Sequence, residues 1–175
     1  TGDTTVAAAL KQAGFPCEVE PTQADHDGRF PAVPFRTPNP ELAATLNAAI
    51  ETADGNGALL VMACDPDADR LGVGVLHRDE WHILSGNDIA ALVCMAALAN
   101  HPHPEPLVFK TEVTSSLVTR IAESRGAIVV DDLLVGFKYI GEAMHLLERK
   151  NRFRNHEGSL DRFAVGVEES HGVLV

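Results

Sequence analysis

Asp65-Pro66-Asp67-Ala68-Asp69-Arg70 follows directly on an apolar run, Ala58–Cys64, and sets carboxylates at i, i+2 and i+4. The apolar run reads as a buried strand. The carboxylates then occupy a loop at its C-terminal end, where open α/β sheets place ligands. Alternate residues of an extended loop face the same way, so all three converge on one point. Converging anions repel and raise one another's pKa values. A hard divalent cation with oxygen ligands relieves that repulsion. Arg70 adds a fixed planar cation that suits a phosphate or a carboxylate. An EF-hand starting at Asp65 needs Gly at its sixth position and Glu at its twelfth. The chain has Arg70 and Leu76 there, so that reading fails. Two others stay open on position alone: a solvated acidic turn, and a phosphatase-type nucleophile at Asp65 or Asp67.

On the N-terminal side, Val6, Ala9, Leu10 and Ala13 have helical spacing, and Gly14 fits the position just past a helix end. Cys17–Glu20 reads as a short strand. Pro21–Pro38 is rich in Pro, Asp and Gly and reads as a long irregular connection. Pro38-Asn39-Pro40-Glu41 reads as a helix start, with Asn39 as cap and Pro40 at the first turn. Leu42, Leu46, Ala49, Ile50 and Ala53 form its apolar stripe, and Asp54–Gly57 ends it. Beyond the acidic loop, Leu71–Leu76 and Trp81–Leu84 read as a hairpin.

A second unit follows. Ser85-Gly86-Asn87-Asp88 resembles a capping box ahead of the apolar helix Ile89–Ala99. After the Pro- and His-rich linker Asn100–Pro106, three strands are expected at Leu107–Lys110, Ala127–Val130 and Phe163–Val167. Between them lie helices with inward stripes Leu117, Val118, Ile121, Ala122 and Ile140, Ala143, Met144, Leu147. Thr114 or Ser115 caps the first. Asn151–Arg162 is polar and expected to be mobile. Strand and helix alternate throughout, so the fold class is α/β: two consecutive α/β domains, each a mixed sheet packed with helices, over residues 1–80 and 81–175. The chain begins on a helix and ends within a strand. An α/β unit normally has a strand before its first helix and a helix after its last strand, so the expectation is a sequence cut from a longer protein.

The 175 residues are 45% hydrophobic, enough for a core and too many for disorder. A net charge of −11 argues against a nucleic-acid partner, which needs a basic face. The three cysteines, Cys17, Cys64 and Cys94, are odd in number and show no metal-ligand spacing. They fit free thiols in a reducing cytoplasm. No apolar run approaches the roughly 18 residues of a membrane span, so no membrane partner is expected.

Several stretches together resemble the α-D-phosphohexomutase family, which includes phosphoglucomutase and phosphomannomutase. Asp65–Arg70 is similar to its magnesium loop, with Pro66 in place of the usual Gly. Proline restricts the loop without removing a ligand. Pro38-Asn39-Pro40-Glu41 resembles a helix-opening segment of its second domain. Lys110-Thr111, Val135-Gly136-Phe137-Lys138-Tyr139-Ile140 and Gly166-Val167-Glu168-Glu169-Ser170-His171-Gly172 resemble segments of its third. The resemblance covers nearly the whole chain. It implies family domains II and III only, without the catalytic-serine domain I and the phosphate-binding domain IV.

The family chemistry is phosphoryl transfer between an enzyme phosphoserine and the two ends of a sugar monophosphate, through a bisphosphate intermediate. Charge neutralisation and alignment carry such chemistry. The resemblance implies that Asp65, Asp67 and Asp69 hold Mg²⁺. Arg70 would orient the transferring phosphoryl group, and Lys110 would move a proton or neutralise charge. Gly136, Lys138, Glu168 and Ser170 would bind the sugar. The roles of Glu169 and His171 stay open. The implied ligands are glucose 1-phosphate, glucose 6-phosphate and hexose 1,6-bisphosphate, with mannose phosphates next. The chain by itself is expected to be inactive. The alternative is a binding module for metal and sugar phosphate without turnover.

Overall fold

The computed structural model describes residues 2–175. It divides into two compact units, residues 1–84 and 85–175. The division falls after Leu84 and not at residue 80, because Trp81–Leu84 are held in the first unit's sheet.

The first unit opens on a π-helical turn, Asp3–Ala7, that continues as α1 (Ala8–Gln12). Gly14 follows with φ +86°, the left-handed turn that favours glycine. Cys17–Glu20 forms no strand. The Glu20 carboxylate instead accepts the Thr22 and Gln23 N–H groups and starts a short 3₁₀ turn. The connection to residue 38 is irregular, as its composition dictates. The helix also begins later than its Asn-Pro signal. Asn39 Oδ1 accepts the Glu41 N–H at 3.0 Å and closes a local turn. A 3₁₀ stretch, Ala43–Leu46, then leads into α2 (Asn47–Asn56). Gly57 ends α2 at φ +75°.

β1 (Leu60–Cys64), β2 (Leu71–His77) and β3 (Glu80–Leu84) form an antiparallel sheet in the order β1-β2-β3. Leu46, Ala53 and Val61 centre the core between α2 and this sheet. β1 is less buried than its composition predicts: Val61 is enclosed, whereas Leu60 is 48% exposed. The reason is its place at the sheet edge, beside a cavity of about 1210 Å³ that Val6, Leu10 and Phe15 also line.

In the second unit, α3 (Gly86–Ala99) starts on a full capping box. Ser85 Oγ accepts the Asp88 N–H and Asp88 Oδ2 accepts the Ser85 N–H. β4 (Leu107–Thr111), α4 (Ser116–Ser124), β5 (Ile128–Leu133) and α5 (Phe137–Lys150) follow. Ser115 caps α4, and Leu117 lies outward at 49% exposure while Val118 and Ala122 face the core. Residues 151–162 fold back as a hairpin of β6 (Arg152–Phe153) and β7 (His156–Glu157). The single aromatic of that stretch anchors the hairpin: Phe153 is buried and meets Phe109 edge-on at 5.6 Å. β8 (Phe163–Val167) and β9 (Val173–Leu174) complete a mixed sheet in the order β5-β4-β8-β9.

β4 runs parallel to both β5 and β8 and is buried along its whole length. Its side chains alternate between two cores. Val108 joins Cys94, Val118, Ala122 and Val165 under α3 and α4. Leu107 and Phe109 join Ile140, Ala143, Leu147 and Phe153 under α5. Each fully buried side chain of this size contributes about 1.5–3 kcal/mol. These layers fix where the ends of β4 and β8 emerge.

Candidate functional site

The acidic residues leave the end of β1, but they converge by a turn and not by extended alternation. The Ala68 N–H donates to the Asp65 carbonyl at 3.1 Å, and Ala68 takes φ +63°. The turn brings one carboxylate oxygen from each of Asp65, Asp67 and Asp69 within 4.8 Å of one another. Asp65 is buried, whereas Asp67 and Asp69 are exposed. Burial pushes Asp65 up, but hydrogen bonds from Arg70 outweigh it and leave its carboxyl below the ordinary value. Asp69 is pushed up, first by sharing a hydrogen bond with the Asp65 carboxyl, then by burial and the charges of Asp65 and Asp67. The raised Asp69 is what crowding of carboxylates produces. The all-oxygen donor set and its spacing fit a small hard divalent ion that keeps several waters.

Arg70 is held from three sides. Its N–H donates to Asp65 Oδ1 at 3.2 Å and its Nε to Asp65 Oδ2 at 2.9 Å. Its Nη1 donates to Glu41 Oε1 at 3.2 Å and Asn39 Oδ1 at 3.4 Å. Asn39 and Glu41 thus belong to the acidic site, although their sequence reads only as a helix start. Gly72, the second residue of β2, makes the approach possible. A Cβ there would sit 2.5 Å from the Pro40 carbonyl oxygen.

In the second unit, β4 leads to α4 and β5 on one side, and the chain returns to β8 on the other. Such a switch point places ligands at the carboxyl ends of the strands. Lys110 pairs with Val167 in the ladder, and Glu168 follows directly on that partner. Lys110 is buried and its Nζ donates to the Thr111 carbonyl at 3.1 Å. Burial lowers its pKa, and the charge of Asp131 opposes that. Glu168 is buried as well, and its Oε1 accepts the Gly136 N–H at 2.6 Å. Gly136 holds φ +122°, a conformation strained for residues with a Cβ. Ser170 Oγ donates to Glu168 Oε2 at 3.4 Å.

Thus Gly136, Glu168 and Ser170 form one hydrogen-bonded group, with Lys110 on the neighbouring strand. Lys138 does not join it; its Nζ lies 4.9 Å over the Tyr139 ring and the residue is exposed. His171 is buried with φ +68° at the turn of the loop, and the Glu168 N–H closes that loop on the Gly172 carbonyl. Glu169, Thr111 and Thr114 are the additions that spacing did not reveal. The Glu169 carboxylate lies within hydrogen-bond distance of both threonine hydroxyls.

Residues 1–77 match the family model described as phosphoglucomutase/phosphomannomutase, alpha/beta/alpha domain II, and residues 85–175 match domain III. A phosphomannomutase of Mycoplasma genitalium is 35% identical over 78% of this chain and 23% of its own length. A phosphoglucomutase of Staphylococcus saprophyticus is 34% identical over 89% of the chain and 27% of its own. A phosphoribomutase of Saccharomyces cerevisiae is 36% identical over 76% and 22%. The chain therefore spans about a quarter of the length of the curated relatives it matches. A crystal structure of a phosphoglucomutase/phosphomannomutase family protein from Burkholderia thailandensis covers 78% of this chain and 25% of its own. It superposes with a TM-score of 0.57 at 18% identity and shares the fold. Among the described residues no helix is long and apolar enough to cross a membrane.

Proposed function

We propose that this chain, which belongs to the phosphoglucomutase/phosphomannomutase family, is the metal-binding and sugar-binding part of a phosphohexomutase. The reaction interconverts hexose 1-phosphate and hexose 6-phosphate, with glucose the favoured sugar and mannose next. The observation that carries the reading is the convergence of Asp65, Asp67 and Asp69 beside the braced guanidinium of Arg70.

Asp65, Asp67 and Asp69 would hold Mg²⁺, which would neutralise charge on a transferring phosphoryl group. Arg70 is fixed through Nε and Nη1, and the remaining Nη2 edge would meet phosphate oxygens. Glu168 and Ser170 would accept and donate hydrogen bonds to sugar hydroxyls, and the Gly136 N–H keeps Glu168 in place for that role. Lys110 combines burial with a lowered pKa, which suits proton transfer near a reacting oxygen. Lys138 is exposed and would reach a phosphate only by leaving Tyr139. Domains I and IV would supply the catalytic serine and a further phosphate site. The chain alone would bind without turnover.

The test is a mutase assay of the full-length gene product beside this chain. Glucose 1-phosphate, mannose 1-phosphate and ribose 1-phosphate are supplied in parallel with Mg²⁺ and a trace of hexose 1,6-bisphosphate. The pentose arm is included because a phosphoribomutase is among the similar proteins. Activity of the full-length protein on a hexose, with an inert chain, is expected. No activity on any of the three sugars would overturn the reading and leave a binding module.

A further inference from the structure

Glu169 is an acidic residue for which the proposed chemistry has no use, yet its carboxylate is tied to two side chains of another loop. Its Oε2 lies 3.1 Å from Thr111 Oγ1 and 3.3 Å from Thr114 Oγ1, and the two hydroxyls are 2.7 Å apart. Both threonines are buried. Two hydroxyl protons serve three oxygen–oxygen contacts when the carboxylate is ionised. The hydroxyls cannot both donate to each other, so every proton arrangement that uses both leaves at least one donated to Glu169. The link between the two loops is therefore kept in all of them.

What the link connects gives it a purpose. On one side, Thr111 carries the carbonyl that accepts Lys110 Nζ, and the Thr114 N–H closes its turn on the same carbonyl. On the other, Glu169 sits between Glu168 and Ser170. Its backbone is wedged against the start of α3, where a Cβ on Gly86 would lie 1.9 Å from the Glu169 carbonyl oxygen. We propose that Glu169 is a positioning residue: its carboxylate ties the Glu168–Gly172 loop to the Lys110–Thr114 turn, so that the ammonium and the sugar-binding carboxylate keep a fixed separation. The role assigned to the held groups rests on the function proposed above, whereas the tie itself does not.

The substitutions that test this are Glu169→Ala, Glu169→Gln and Thr114→Val. A glutamine carbonyl accepts two hydroxyls and keeps the tie; alanine cannot. Amide hydrogen exchange is read at residues 110–114 and 168–172 of this chain. Glu169→Ala should raise exchange in both segments together by about tenfold, the worth of a hydrogen bond to a charged group. Glu169→Gln should restore it. Thr114→Val alone should raise exchange by less than Glu169→Ala, because Thr111 keeps its contact with the carboxylate. The same proteins are titrated with glucose 1-phosphate by NMR. Weaker binding by the alanine variant, rescued by glutamine, is expected. Exchange unchanged in either segment, or glutamine as damaging as alanine, overturns the tie. Wild-type chain that ignores glucose 1-phosphate while the exchange pattern holds overturns the functional reading and leaves the tie standing.

Discussion

Arg70 Nε lies 2.9 Å from Asp65 Oδ2, and the same guanidinium reaches Glu41 Oε1 at 3.2 Å. Asp65 is almost fully buried, and Arg70 is the cation that faces it. Replacing Arg70 by Met leaves that carboxylate without its partner. A fully enclosed pair loses about 3–5 kcal/mol this way. Arg70 is a third exposed, and solvent screening lowers the expectation to about 2 kcal/mol. Urea unfolding of the variant in metal-free buffer measures it. A change within error would mean that Asp65 is not dependent on Arg70.

Asp67 is exposed and contributes a carboxylate to the cluster without packing against the core. Asp67→Asn should therefore keep the fold and lose the metal. In chelator, its stability should stay within about 0.5 kcal/mol of wild type. Removing one charge also relieves Asp69, whose pKa is raised by its neighbours. With Mg²⁺ at 100 times its dissociation constant, the wild-type chain should gain about 2.7 kcal/mol and the variant little. Thermal melts with and without MgCl₂ report both. A variant that unfolds while Mg²⁺ stabilises it as before would make the loop structural and reject the metal site.

Two glycines of the second unit should respond in opposite directions. A Cβ on Gly86 would stand 1.9 Å from the Glu169 carbonyl oxygen and 2.8 Å from the His171 nitrogen, both backbone atoms. Gly86→Ala must displace α3 or the loop, at about 1–3 kcal/mol. Gly141 lies within α5 with nothing in reach of an added Cβ. Gly141→Ala should stabilise by about 0.5–1 kcal/mol through helix propensity. Paired denaturant titrations give both signs. A neutral Gly86→Ala would mean that the loop yields freely.

What the sequence discloses follows the distance over which its information is written. The Ile140, Ala143, Leu147 stripe, the Ser85–Asp88 capping box and the β2–β3 hairpin are local patterns, and each stands in the structure. The acidic cluster was legible for the same reason, since its three carboxylates lie within one turn. Cys17–Glu20 has strand composition, but among the described residues no strand pairs with it, and pairing is not a local property. Arg70 meets Glu41 across 29 residues, and Thr111 meets Glu169 across 58. No spacing rule reaches so far. The Asn39 signal reads as a cap, whereas in the structure it closes its own turn, because a short polar side chain competes equally well for either role.

Lys110 carries a pH signature with a definite sign. It is buried, and burial lowers its pKa against the opposing charge of Asp131. Between that lowered folded value and the ordinary lysine value near 10.4, the unfolded chain binds more protons than the folded one. Stability therefore rises with pH across that window. Below it the folded state carries the full cost of a buried ammonium. Lys110→Met removes the charge and keeps the stem, so it should stabilise the second unit at neutral pH by about 1 kcal/mol. The gain should shrink as pH rises through the window, where wild type sheds the same proton. Urea midpoints of wild type and variant from pH 7 to above the lysine range give the difference curve. A difference that is flat in pH would show that Lys110 keeps its ordinary proton affinity, and proton transfer by this residue would have to be abandoned.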